Sequence, residues 1–129
     1  MVAVDTNVLV RLLTNDHPAQ ASRAVAIFRS GPLYVAKTVL LECEWVLRYS
    51  YARPASVIAR ALLGVLGLPN VTVEDVSAVY LALGMVERGI DFADALHLAS
   101  SASAAKFVTF DAQLVKRSLK FSPVLVELV

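Results

Sequence analysis

Short apolar runs punctuate this chain, and helical stretches separate them: residues 2–4, 33–36, 71–73, the "KFVTF" run at 106–110, and 123–128. Strands that alternate with helices return to a sheet in the same direction, so the pattern predicts an α/β fold with a central, mostly parallel sheet. The intervening helices are expected over 7–13, from Pro18 to about Ser30, from a cap at Thr38 to about Ser50, and from Pro54 to the "GLPN" stop. Further helices are expected from a cap at Asp75 to Arg88 with Gly89 as the stop, from a cap at Asp91 to about Ala105, and briefly after Asp111. In parallel sheets ligands collect beyond the carboxyl ends of the strands. Asp5 directly follows "VAV" and Asp111 directly follows "FVTF", so both are expected at that edge.

Bulk properties narrow the classes. A length of 129 residues suits one domain spanning 1–129. Hydrophobic residues make up 57% of it, so most helices should be buried on more than one side. The apolar stretches at 61–69 and 76–86 are broken by Gly or Ser and fall short of the roughly 18 residues a spanning helix needs. No basic segment leads into an apolar one at the start, so no signal peptide is expected. Cys43 is the only cysteine, which excludes an internal disulfide and makes an intracellular, cytoplasmic location the default. A net charge of +1 argues against a protein that coats nucleic acid through bulk charge.

Four acids demand an explanation. Asp5 and Asp111 suit helix N-caps, and a capping role is compatible with a ligand role through different oxygens. Glu42 lies on one helical stripe with Val39, Val46 and Tyr49, where an apolar surrounding would make an unpaired charge costly. Glu44, four residues before Arg48, reads instead as half of an ordinary surface pair. Asp94 follows Asp91 by three in "DFADALHLA", either as part of a capping arrangement or as an acid one turn inside an apolar helix. His97, one turn further, is a packing residue or a group that orients Asp94. Carboxylates drawn together would repel and take up protons, and a hard divalent cation relieves that. All-oxygen donors point to Mg2+ or Mn2+, which serve chemistry on phosphates by activating water and stabilising charge. With the four candidates removed from 11 acids, 7 remain against 12 Lys and Arg, a basic remainder. Arg11, Lys116, Arg117 and Lys120 are then candidates for phosphate contacts, or simply solvated.

The blocks "VDTNVLVRLL", "TVLLECEWVLR", "DFADALHLA" and "FVTFD", in this order, resemble those of PIN domains, and more narrowly the VapC toxins of prokaryotic toxin–antitoxin pairs. The resemblance implies a PIN-like three-layer α/β/α sandwich and a Mg2+- or Mn2+-dependent endoribonuclease that hydrolyses RNA phosphodiesters with an activated water. It implies Asp5, Glu42, Asp94 and Asp111 as catalytic metal ligands, with Thr109, and Thr6 or Asn7, as polar helpers. It leaves Asp91 outside that set. It also implies a homodimer and a small VapB-type antitoxin that covers the acidic pocket, with Trp45 and Tyr49 either core or part of the partner groove. The alternative is a catalytically inactive PIN-like module that binds a protein. A haloacid-type phosphatase or a receiver domain is disfavoured: "DTN" lacks the second Asp of the former, and neither "LYVAK" nor "NVTVE" supplies the phosphoacceptor of the latter.

Overall fold

The computed structural model describes all residues, Met1–Val129. In chain order the elements are β1 (Val2–Ala3), α1 (Thr6–Leu13), α2 (Pro18–Arg29), β2 (Leu33–Val35), α3 (Lys37–Tyr49), α4 (Ala55–Leu66), β3 (Val71–Val73), α5 (Val76–Val86), α6 (Phe92–Ser100), β4 (Phe107–Thr109), α7 (Ala112–Ser118) and β5 (Val126–Leu128). Every strand pairing is parallel, and helices supply the crossovers that parallel pairing requires. The expected α/β class is therefore observed. No helix is long and apolar enough to cross a membrane. The chain divides into two compact units, Met1–Val76 and Ser77–Val129.

The first unit carries a sheet in the order β1-β2-β3, with Val2 opposite Leu33 and Leu33 opposite Val71. Central β2 buries Leu33 and Val35, and Leu9, Val10, Phe28, Leu40, Leu47, Ile58 and Leu62 are buried with them. After α2 the chain turns at Gly31, whose φ of +151° suits glycine. Asn70 fixes that turn by donating its side-chain amide to the carbonyls of Phe28 and Gly31, both at 2.8 Å.

Two expected caps are not made. Helix α3 starts one residue before Thr38, with Ala36 at the cap position and no side-chain cap. Its first amide, on Lys37, is instead satisfied by the Glu74 carboxylate at 2.9 Å. Asp75 does not cap α5. It sits at φ +48° and its carboxylate holds Lys37 Nζ at 3.1 Å.

In the second unit β4 and β5 pair with Phe107 opposite Val126. Helix α5 ends as expected around Gly89: at φ +86° its N–H reaches the Val86 carbonyl at 3.0 Å, and the Ile90 N–H reaches that of Met85 at 3.2 Å. This is the two-bond closure that a left-handed residue permits. The expectation of burial on several sides fails for α5, where Val76, Tyr80 and Leu81 are exposed. Helix α6 ends at Ser100, short of the expected Ala105. Ser101 Oγ donates to the His97 carbonyl at 2.7 Å, and such hydroxyl bonding competes with helix continuation in the "SSASAA" run.

Candidate acidic sites of the two units

In the first unit Asp5 follows β1 and serves as N-cap of α1, its Oδ1 accepting the Thr6 N–H at 2.8 Å. Thr6 is buried, and its hydroxyl donates to Glu42 Oε1 on α3. One residue thus bonds both acids, and this is what brings Asp5 and Glu42 together. Of the two residues expected as alternative polar helpers, Thr6 contacts both acids and Asn7 is exposed.

Glu42 is not enclosed by apolar neighbours as expected. It is exposed, and the buried face of α3 runs through Leu40, Cys43, Glu44 and Leu47. Glu44, expected on the surface, is the buried acid, 5% exposed and paired with Arg48 Nε at 3.0 Å. The expected pair exists, but inside rather than outside. Trp45 and Tyr49 are exposed rather than core, with ring centroids 5.1 Å apart. Arg11 is engaged as a tie between segments: Nε donates to Gln20 at 2.7 Å and Nη1 to the Tyr51 hydroxyl at 2.9 Å. Tyr51 in turn donates to Asp16, and that bond is the first cause holding the Asp16 carboxyl below its ordinary range.

In the second unit Asp91, Asp94 and Asp111 line one cavity of about 320 Å³, together with Gly89, Ile90, Gln113, Leu114 and Arg117. Asp111 is the N-cap of α7, its Oδ1 accepting from Gln113 N at 2.9 Å and Leu114 N at 3.1 Å. Thr109 Oγ1 accepts the Asp111 N–H at 3.0 Å. Asp91 occupies the cap position of α6 but makes no capping hydrogen bond. Burial pushes the Asp94 carboxyl above the usual carboxylate range, and the charges of Asp91 and then Asp111 push it further, while His97 pulls it back. His97 is exposed and acts on Asp94 only through charge.

Asp91 is the residue left aside on sequence grounds that the fold brings in. Its spacing of three from Asp94 at a helix start was the available signal. Lys116 and Lys120 do not line the cavity; Arg117 does.

The four candidate acids share a feature. Asp5 Oδ2, Glu42 Oε2 and Asp111 Oδ2 accept no hydrogen bond from the protein, and Asp94 accepts none on either oxygen. Glu44, Asp75 and Glu127 are ion-paired, whereas Glu87 has no protein partner and Glu74 is bonded through Oε1 alone, so free oxygens are not confined to the four. In kind, oxygen donors of this sort suit Mg2+ or Mn2+. In placement, neither unit gathers three or more His, Cys, Asp or Glu side chains at metal-holding distance.

No curated protein matches the chain. The model of the PIN domain family matches residues 2–119, and PIN domains are generally nucleases that use divalent metals. A match over nearly the whole length, on an α/β fold with parallel strands, makes this chain a member of the PIN domain family.

Proposed function

We propose that residues 1–129 work as a single PIN domain with Mg2+- or Mn2+-dependent endoribonuclease activity, and that it acts in the cytoplasm as the toxin of a VapBC-type pair. The observation that carries this reading is the set of carboxylate oxygens left without protein partners on Asp5, Glu42, Asp94 and Asp111. Asp5, Glu42 and Asp111 are exposed and Asp94 is half-buried, so these oxygens are open to water or to a cation. These four are the proposed ligands. A bound Mg2+ or Mn2+ supplies Lewis-acid activation of water and stabilisation of charge on phosphate oxygens.

The side chains have assigned tasks. Asp5 and Asp111 each have one oxygen locked by amides at a helix start, which fixes the direction of the other. Thr6 does the same for Glu42, and Thr109 holds the backbone of Asp111. Asp94, whose carboxyl is raised by burial and then by the charge of Asp91, gains from a nearby cation. The proposed partners are an RNA substrate, a VapB-type antitoxin and a second copy of the chain.

Purified protein with Mn2+ should cut single-stranded RNA to leave 5′-phosphate and 3′-hydroxyl ends. Asp94→Asn should lower the rate by about 100-fold or more while keeping the fold, since several kcal/mol of charge stabilisation are at stake. Equal rates for the two proteins remove Asp94 from the mechanism.

One observation favours the rival reading of a non-cutting, protein-binding PIN module: neither unit gathers three potential ligands. Calorimetric titration with Mn2+ decides between them. Uptake by the parent that is lost in Glu42→Gln supports the nuclease, and no uptake by the parent supports the module.

A further inference from the structure

We infer that Arg117, resting on the nuclease reading above, is the residue that grips the RNA phosphodiester beside the acidic cavity. Among the residues lining that cavity, Arg117 is the only cation facing three carboxylates. It stands on α7 with Gln113 and Leu114, four and three residues earlier, so these three share the helix face turned to the cavity. Asp111 caps the same helix, which ties the position of Arg117 to that of a proposed ligand.

Its bonding leaves it available. Arg117 forms no ion pair, and its one hydrogen bond, from Nη1 to the Gly89 carbonyl, is 3.4 Å long. That is a weak contact with a neutral acceptor. Arg11 is committed to Gln20 and Tyr51, Arg48 to Glu44, and Arg88 to the face of Phe121 at 4.7 Å, while Arg23, Arg29, Arg53 and Arg60 do not line this cavity. A polyanion approaching Asp91, Asp94 and Asp111 meets like charge, and a cation at the cavity wall offsets that repulsion. A guanidinium suits the task because its fork of N–H groups matches two phosphate oxygens at once. Lys116 and Lys120, exposed but outside the lining, lack this placement.

The test uses the full chain and a fluorescent single-stranded oligoribonucleotide. Binding is compared between Asp94→Asn and the double variant Asp94→Asn with Arg117→Met, across a KCl series with Mn2+ present. Loss of one phosphate contact should weaken binding about 10-fold to 100-fold and reduce the slope of log affinity against log salt by about 0.7. In the otherwise unaltered chain, Arg117→Met should lower kcat/KM, Arg117→Lys should restore part of it, and Mn2+ affinity should hold or tighten. An unchanged salt slope with binding within about twofold overturns the assignment, as does absence of RNA binding by Asp94→Asn. Weaker Mn2+ binding with a lower melting temperature in both Arg117 variants also overturns it, by showing a structural prop. If the parent binds RNA with an Arg117-dependent slope yet cuts none, the grip stands and the nuclease reading falls.

Discussion

Three consecutive residues of α3 show how burial sorts side chains of similar sequence context. Glu42 is exposed and held by Thr6, Glu44 is buried and held by Arg48, and Cys43 between them is fully buried. Burial, followed by the charges of Glu44 and Glu42, pushes the Cys43 thiol up from 9.0 to about 12. The folded chain therefore keeps a proton that the unfolded chain loses. Between those two values the unfolded state binds fewer protons, so stability is full below about pH 9 and falls as pH rises, by about 1.4 kcal/mol per pH unit. Urea unfolding of the parent and of Cys43→Ala from about pH 8 to about pH 11 should show it. The parent should lose stability more steeply, while the variant starts lower because of its cavity and falls less. Parallel slopes would assign the alkaline loss to other groups. The same protected thiol should resist alkylation in the native state.

At the level of elements, α5 offers an internal comparison. A Cβ at Gly84, inside the helix, meets nothing within 4 Å, and the residue is exposed. A Cβ at Gly89 also meets nothing, but there φ is +86°. The same substitution should thus have opposite signs. Gly84→Ala should raise stability by up to about 1 kcal/mol through helix propensity, and Gly89→Ala should lower it by about 1 to 2 kcal/mol through the left-handed backbone. Chemical denaturation of both variants checks this, and a loss at Gly84 would mean that a packing constraint outweighs propensity. Gly89 was legible in the sequence because a local backbone requirement dictates it, and the strand at 71–73 was legible because its apolar pattern is short and bounded. The caps at Thr38 and Asp75 were not. Glu74, 37 residues from Lys37 in sequence, supplies the α3 cap, and no local pattern contains such a contact. The inversion of Glu42 and Glu44 has a related cause. Apolar residues fill 39–41, 43 and 45–47, so periodicity alone does not select the buried face.

For the molecule as a whole, Asp5 after β1 and Asp111 after β4 were legible, but the single sheet edge expected to gather them is not formed, because β1 pairs into the sheet β1-β2-β3 and β4 into the separate sheet β4-β5. Asp91 and Arg117 were harder, because only the fold places them on the wall that Asp94 and Asp111 share. That shared wall has a thermodynamic consequence. The Asp94 carboxyl is raised first by burial, then by Asp91 and Asp111. Its stabilising contribution is therefore present when it is protonated and lost as pH rises through the folded-state value, so at neutral pH its charge opposes folding. In EDTA, Asp94→Asn should melt slightly above the parent, by a small margin because solvent access screens the effect. Mn2+ at 100 times its dissociation constant should then add about 2.7 kcal/mol to the parent by mass action. The variant should gain much less, so the order of melting temperatures reverses between EDTA and Mn2+. Calorimetric melts of both proteins under both conditions suffice. A variant that melts lower in EDTA would make Asp94 a structural acid. An equal rise in Mn2+ for both would place the ion away from Asp94, because only a ligand's loss should abolish the gain.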